Sequence, residues 1–248
     1  ERLASAHIHV VSCLCVAGEE DTKESKGAAE DVGYVVSRVA LVRADSVWGH
    51  RGALRKSVDA LCERFAASCG HPGFGQLVSI VAMDSLKLCI SRGFEEREDS
   101  DEARLWEEAL VWLALQLGRT GVDGVADLLI ISAARILEHY QPKRRLQGAR
   151  MAEHLLKHLD RTVVRWNKEA LLPALWSAMN CDDEEVVTHL IPPFCETIKA
   201  VSPADGQDSH LALAKLLTLG LQESRHKCRL TYAQGVHLMW THMGAYAA

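Results

Sequence analysis

The chain has 248 residues, of which 48% are apolar and 25% are charged, and its formal net charge is −5. This length allows one domain or two around a substantial buried core. The modest negative charge gives no reason to expect nucleic acid or an anionic membrane as a partner, because both are usually bound by a clearly basic surface. No stretch approaches the roughly 18 uncharged apolar residues that span a bilayer, so we expect no membrane partner.

The chain is rich in cysteine, and most of the eight thiols lie inside apolar helical patterns, where a free thiol acts as a small apolar side chain. A chain of this length needs no disulfide framework. We therefore expect reduced cysteines and a location in the cytoplasm or nucleus. The cysteines are Cys13, Cys15, Cys62, Cys69, Cys89, Cys181, Cys195 and Cys228.

Apolar side chains recur three to four residues apart through almost the whole chain, which is the spacing of amphipathic helices. The breaks between these segments carry glycine, proline or polar runs, as at Gly18–Gly27, Gly70–Gly75 and Gly118–Gly121. The pattern predicts an all-α protein. Its predicted helices cover residues 2–17, 30–44, 49–68, 76–91, 101–118, 122–140, 143–158, 161–180, 183–201, 208–223 and 225–244.

The predicted helices are joined by short turns, so sequence neighbours are expected to pack antiparallel. From residue 101 they fall into pairs with a period of about 40 residues, as in HEAT and armadillo repeats. We predict an α-solenoid of antiparallel helix pairs, with irregular repeats over residues 1–100 and HEAT-like repeats over 101–248. A single globular helical bundle is the alternative. The stretch Arg145–Ala152 weakly parallels Lys227–Gln234, as degenerate repeats do.

The most metal-like group of side chains is His7, His9, Cys13 and Cys15, because all four would share one face of a strand. On a helix, residues two apart point about 200° away from each other, and the group falls apart. The usual Cys-x-x-Cys pair occurs nowhere in the chain. We therefore expect a packed N-terminal helix and no bound metal.

His154 and His158 lie four residues apart, a helical spacing that can hold a metal. The residues between them lack the glutamate that supplies a protease base, and His139 is the one further ligand nearby in sequence. No nucleophile elbow, Walker loop or dinucleotide-binding fingerprint occurs. Acidic clusters lie where helices are predicted to begin, which capping and the helix dipole explain. We expect no catalytic residue, no cofactor and no enzyme activity.

A local excess of positive charge lies in the second half of the chain. A solvated helix face and a surface for an acidic partner segment explain it about equally well, whereas the acidity of the whole chain argues against nucleic acid. The residues are Lys143, Arg144, Arg145, Arg150, Lys157, Arg161 and Arg165.

The segment Tyr140–Leu156 resembles the signature of the Tel-two-interacting protein two family. In that family a Tyr-x-Pro ends one helix, and a basic residue, Leu, Gly and Arg open the next. Pro142 would stop the first helix and sit near the next N-terminus. Gly148 would let the neighbouring helix approach closely, and Arg150 would reach a facing carboxylate or carbonyl.

A second segment, His210–Tyr232, is similar to the family's Glu-Ser-Lys-Arg segment and the Arg-x-x-Tyr helix that follows it. The matching residues are Glu223-Ser224-Arg225, Arg229 and Tyr232. The two segments and their surroundings cover residues 122–243, about half of the chain.

The chain departs from the family pattern in three places. Glu138-His139 stands where the family has an acidic pair, and residues 1–100 show no match. The sequence given ends at Ala248, before the family's final helix, so we expect the last repeat to expose an apolar face.

The resemblance implies a non-catalytic adaptor, a subunit of the Triple T co-chaperone complex. That complex works with the ninety-kilodalton heat-shock chaperone to mature phosphatidylinositol-3-kinase-related protein kinases, which act in DNA-damage signalling and growth control. The implied partners are proteins: larger helical Triple T subunits, the chaperone machinery and the kinase clients. Candidate partner contacts are Arg144, Arg145, Met239 and Trp240. The alternatives are another HEAT or armadillo adaptor and, less favoured, a helical metal-dependent enzyme.

Overall fold

The structure is a computed structural model that describes residues 36, 39–40, 52–94 and 100–244. Within these residues every regular element is a helix and none is a strand, so the predicted all-α class is confirmed. Residues 36 and 39–40, inside the predicted helix 30–44, are helical and buried. The predicted helix 2–17 and the group His7, His9, Cys13 and Cys15 lie outside the described residues.

Most of the observed helix ends agree with the predicted ends within three residues. The helices of the described part are α1 (Gly52–Ser68), α2 (Phe74–Phe94), α3 (Asp101–Gln116), α4 (Arg119–Asp123), α5 (Ala126–Leu137), α6 (Pro142–His158), α7 (Arg161–Trp166), α8 (Lys168–Ala178), α9 (Glu184–Val201), α10 (Gln207–Gln222) and α11 (His226–Met243).

Two segments that were predicted as single helices are each divided in the structure. The predicted break at Gly118–Gly121 is displaced, because residues 119–121 lie in α4 and Gly124 separates α4 from α5. Glycine inside a helix costs about 1 kcal/mol relative to alanine. Asn167 separates α7 from α8, and its amide donates to the carbonyl of Val163 at 3.1 Å and to the carboxylate of Asp127 at 2.8 Å. Asparagine side chains compete in this way with helical hydrogen bonds. Apolar periodicity runs through both breaks, so it did not reveal them.

The first compact unit, Glu1–Val125, includes α1 to α4, and its central helix α2 packs on the other three. The chain reverses between α1 and α2 at Gly70, whose φ of 78° lies in the left-handed region that glycine adopts without steric cost. By length and composition, α2 is the one helix in the described residues that could cross a membrane. Of its most apolar 18 residues 44% are buried, and the core helix of a globular protein passes the same test.

The second unit, Ala126–Ala248, includes three successive helix pairs: α5 with α6, α8 with α9, and α10 with α11. The second helices of the pairs begin at residues 142, 184 and 226, each 42 residues after the last. Among these helices, α9 packs on both α6 and α11, and α5 packs on α8. Within this unit the helix pairs therefore form a helical repeat, in which each pair packs on the next. The first unit ends at Val125, so α3 and α4 belong to it; the predicted division at residue 101 stays a prediction.

The 42-residue period corrects the internal parallel drawn from the sequence. That parallel aligned Arg145 with Lys227, whereas the helix starts align Arg145 with Arg229, two residues further on.

The core of the first helix pair matches two expectations. Leu129 and Leu155 are buried, at 0% and 1% exposure. A Cβ added at Gly148 would lie 2.8 Å from the backbone nitrogen of Leu137 and 3.1 Å from the carbonyl carbon of Ile136. The predicted close approach at Gly148 is therefore confirmed, because α6 contacts the backbone at the end of α5 directly.

Candidate functional site

The turn between α8 and α9 and the turn between α10 and α11 form an open cleft, here called the turn cleft, with a volume of about 450 Å³. Its buried members include Met179 and Tyr232, whereas most of its exposed lining surface is polar. Its exposed members are amides, a hydroxyl and a carboxylate. The lining residues are Met179, Asn180, Cys181, Asp182, Leu219, Gln222, Glu223, Ser224, Arg225 and Tyr232.

An arginine–carboxylate fork spans the α10–α11 turn. The Nε and Nη2 atoms of Arg225 donate to the two carboxylate oxygens of Glu223, at 2.9 Å and 2.6 Å. The backbone nitrogen of Arg225 donates to Glu223 Oε1 at 2.8 Å. Arg225 Nη1 donates to the backbone carbonyl of Asp182, in the α8–α9 turn. One guanidinium therefore ties the two turns of the cleft together, and bidentate pairs of this kind fix geometry as well as energy.

A second arginine holds the same turn from the helix side. Arg229, in the first turn of α11, donates from Nε and Nη2 to the backbone carbonyl of Glu223, at 3.0 Å and 2.8 Å. Glu223 is the C-terminal cap of α10, so its carbonyl has no partner within that helix. Arg229 satisfies this group and closes the chain reversal.

The electrostatics of the cleft follow from the fork and from burial. Hydrogen bonds from Arg225 lower the pKa of Glu223 to about 2, and the same pairing raises the pKa of Arg225. Burial raises the pKa of Tyr232 to about 12. At neutral pH the fork is therefore fully ionised, and the tyrosine is a neutral hydroxyl that can donate or accept a hydrogen bond.

Family-like residues from the second resembling segment gather at this cleft: Glu223, Ser224, Arg225, Arg229 and Tyr232. The opposite wall of the cleft is formed by the α8–α9 turn, which the sequence predicted only as a break between two helices.

The opposite wall includes Asn180, whose amide oxygen accepts a hydrogen bond from Lys215 Nζ at 2.8 Å. Sequence reasoning missed the meeting of these two turns because it depends on the exact 42-residue period.

The two predicted contact residues Arg144 and Arg145 hold the equivalent turn of the first helix pair. Arg145 Nε donates to the carbonyl of His139 at 2.9 Å. Arg144 Nη1 lies 2.7 Å from Nε2 of His139, and Arg144 is only 7% exposed. Arg144 therefore offers little surface to a partner, although its contact role stays a prediction.

The other two predicted contact residues, on α11, differ sharply in exposure. Met239 is 0% exposed and belongs to the core of the second unit. Trp240 is 50% exposed, so its indole is available at the surface.

The histidine pair of α6 lies on one helix face, as its spacing predicts. The ring centroids of His154 and His158 are 4.6 Å apart. His139, the third ligand considered, instead lies at the α5–α6 turn against Arg144. In the described part of the chain no group of three or more His, Cys, Asp and Glu side chains is placed to hold a metal ion.

No family model and no curated protein matches the chain. Among solved structures, it is similar to one described as an engineered protein, a target of the Northeast Structural Genomics Consortium. The TM-score is 0.55 at 11% sequence identity, and the match covers 94% of this chain and 97% of the other. At this identity the likeness shows the helical fold alone, and the family resemblance stays a prediction.

Proposed function

We propose that this chain is a non-catalytic helical scaffold that binds other proteins. In this proposal the chain acts as an adaptor subunit of a Triple T co-chaperone complex. That complex assists the maturation and stability of phosphatidylinositol-3-kinase-related kinases. The observation that carries the proposal is the position of the family-like residues Glu223, Arg225, Arg229 and Tyr232. They line one cleft or hold its turn.

The chemistry of the turn cleft favours recognition of a protein surface. The charged groups Arg225 and Glu223 are already bonded to each other, so they stiffen the turn. The exposed groups of Asn180, Asp182 and Ser224 are short hydrogen-bonding groups at the mouth of the cleft. Rigid turns with such groups suit the polar rim of a protein–protein interface.

Trp240 supplies the kind of anchor that such interfaces use. It is half exposed on α11, in the same helix pair as the Arg225 fork. Aromatic residues are enriched in interface cores, and truncating an anchor commonly costs more than about 2 kcal/mol of binding free energy.

Another HEAT or armadillo adaptor is the second candidate, because the stacking of the helix pairs suits any scaffold of that class. The identity of the bound partners distinguishes these two candidate functions. We expect affinity purification of the full-length protein from its native cells to recover larger Triple T subunits and kinases of this class. Recovery of neither, from cells in which the protein is folded, would reject the Triple T assignment.

A matched pair of tryptophan variants tests the contact itself. Trp240→Ala should reduce recovery of the partner without lowering the melting temperature. Trp166→Ala is the control, because Trp166 is 79% exposed on α7, outside this helix pair. If both variants bind normally, or if Trp240→Ala loses binding only as it loses stability, Trp240 is not an anchor.

A further inference from the structure

Helix α6 carries a concentration of positive charge that the turn cleft does not use. Its 17 residues include five lysines and arginines and a single carboxylate, in a chain with a net charge of −5. Arg144 and Arg145 are held against His139 at the α5–α6 turn. Lys143, Arg150 and Lys157 remain on the outer side of α6, where Lys143 and Lys157 are exposed and Arg150 is half-buried. These three residues are called the cationic row.

The cationic row has a regular spacing. Lys143, Arg150 and Lys157 are seven residues apart in each step. Seven residues make nearly two helical turns and rise about 10.5 Å, so the three cations lie in line over roughly 21 Å. Gln147 and His154 fall between them on the same face, and neither carries a negative charge that would repel an anion.

The one carboxylate of α6 lies beside this row and is already bonded. Glu153 Oε1 accepts a hydrogen bond from Lys157 Nζ at 2.8 Å, and Glu153 Oε2 lies 3.2 Å from Nδ1 of His189 on α9. The lysine side chain is 65% exposed. Exposed pairs of this kind are weak, so a carboxylate from another molecule can share or replace the contact.

We propose that the cationic row binds a helix of a partner protein that presents Asp or Glu at every seventh residue. A helix lying along α6 has the same rise per residue, so its carboxylates would meet all three cations at once. This inference rests on the proposed function, because it names the chemistry of one of the protein partners. A nucleic acid is the other polyanion that a basic surface attracts, but its phosphates follow a continuous helical path without this period.

Two synthetic helical peptides of the same composition and of about 21 residues test the inference. One carries glutamate at three heptad-spaced positions, and the other carries the same glutamates distributed around the helix. Circular dichroism should verify equal helicity. In fluorescence anisotropy with the purified chain, the heptad peptide should bind at least about tenfold more tightly than its isomer, and the difference should shrink as salt rises. Equal affinities, or no binding of either peptide, would overturn the proposal.

Charge reversal within the chain makes the test specific. Arg150→Glu should abolish the preference for the heptad peptide, and a peptide with lysine at the central heptad position should recover it. Lys143→Glu is the second variant, because Lys143 is exposed and its reversal leaves the core untouched. Lys87→Glu, exposed on α2, is the matched control and should change nothing. If Lys87→Glu lost the preference for the heptad peptide to the same extent, net charge alone would explain the effect and the proposal would be overturned.

An RNA oligonucleotide of matched charge is the last probe. Tighter binding to it than to the heptad peptide would reject the helical partner in favour of nucleic acid. These assays use the purified chain alone, so their failure rejects the cationic row and leaves the adaptor function to the purification experiment. If the peptide binds but no Triple T subunit is recovered, the row stands and the proposed complex is wrong.

Discussion

Arg145 and Arg229 occupy the same position in two turns that lie two 42-residue repeats apart. Each is the fourth residue of its helix, and each donates to the backbone carbonyl six residues before it, at His139 and at Glu223. The intermediate helix α9 has no arginine there, and its start is capped by the carboxylate of Asp183. Two of these turns are therefore held by an arginine side chain, and the third by a capping carboxylate.

Removing the arginine should loosen the turn it closes. In Arg229→Ala the carbonyl of Glu223 loses both donors, and we expect a loss of about 0.5–1.5 kcal/mol in the free energy of unfolding. Hydrogen exchange should accelerate at the amides of the α10–α11 turn more than elsewhere. Gln234→Ala, exposed on the same helix, is the control. Unchanged exchange at the turn in Arg229→Ala would show that the contact does not restrain it.

Periodicity predicted the helices because the apolar faces of this chain are buried against sequence neighbours, as with Leu129 and Leu155. It failed at Gly124 and Asn167, where a single residue ends a helix without interrupting the apolar pattern.

Periodicity did not predict the turn cleft for a different reason. The contact between Arg225 and Asp182 depends on how two repeats stack. The low exposure of Arg144 was also not foreseen, although its partner His139 lies only five residues away. A charged side chain is expected at the surface unless a partner is recognised.

Gly148 should not tolerate a side chain. The added methyl of Gly148→Ala would press on the backbone of Leu137 at 2.8 Å, so α5 and α6 must separate, at a cost of about 1–3 kcal/mol. Gly124→Ala is the matched control, because its nearest neighbours would be 3.8 Å away and its φ is −68°. Urea denaturation should show the control to be neutral or stabilised by up to about 1 kcal/mol. Equal stability of the two variants would mean that α5 and α6 are not in backbone contact.

The core of the first helix pair should depend on Leu155. Leu155→Ala removes a side chain that is 1% exposed and should lower the free energy of unfolding by about 2–5 kcal/mol. Leu221→Ala, on α10, removes the same atoms from a side chain that is 85% exposed. We expect less than about 0.5 kcal/mol in that control. Denaturation midpoints that shift alike in the two variants would contradict the assigned face of α6.

Thiol reactivity should follow burial among the described cysteines. Cys69 is the one of these six free thiols that is not buried, and we expect it to be alkylated first by iodoacetamide at neutral pH. Burial raises the pKa of Cys195 to about 12, so its thiolate is scarce and its sulfur is inaccessible in the folded state. Peptide mapping by mass spectrometry distinguishes the sites. Alkylation of Cys195 before Cys69 in the native protein would contradict the packing of α9.

Acid should weaken the Glu223–Arg225 fork over a defined pH range. The fork lowers the pKa of Glu223 from its ordinary value of 4.5 to about 2. Between these two pH values the folded state therefore binds fewer protons than the unfolded chain. The stability that this group contributes is therefore present above about pH 4.5 and is lost progressively as the pH falls towards 2. Glu223→Gln lacks that contribution at every pH, so its stability should approach that of the parent as the pH falls. Gln207→Ala, at an exposed neutral side chain at the start of α10, is the control; it removes no titratable group and should keep the parent's slope. Urea denaturation at pH 5, 4 and 3 measures the difference in the free energy of unfolding between Glu223→Gln and the parent. If this difference is the same at all three pH values, Glu223 does not titrate with a lowered pKa.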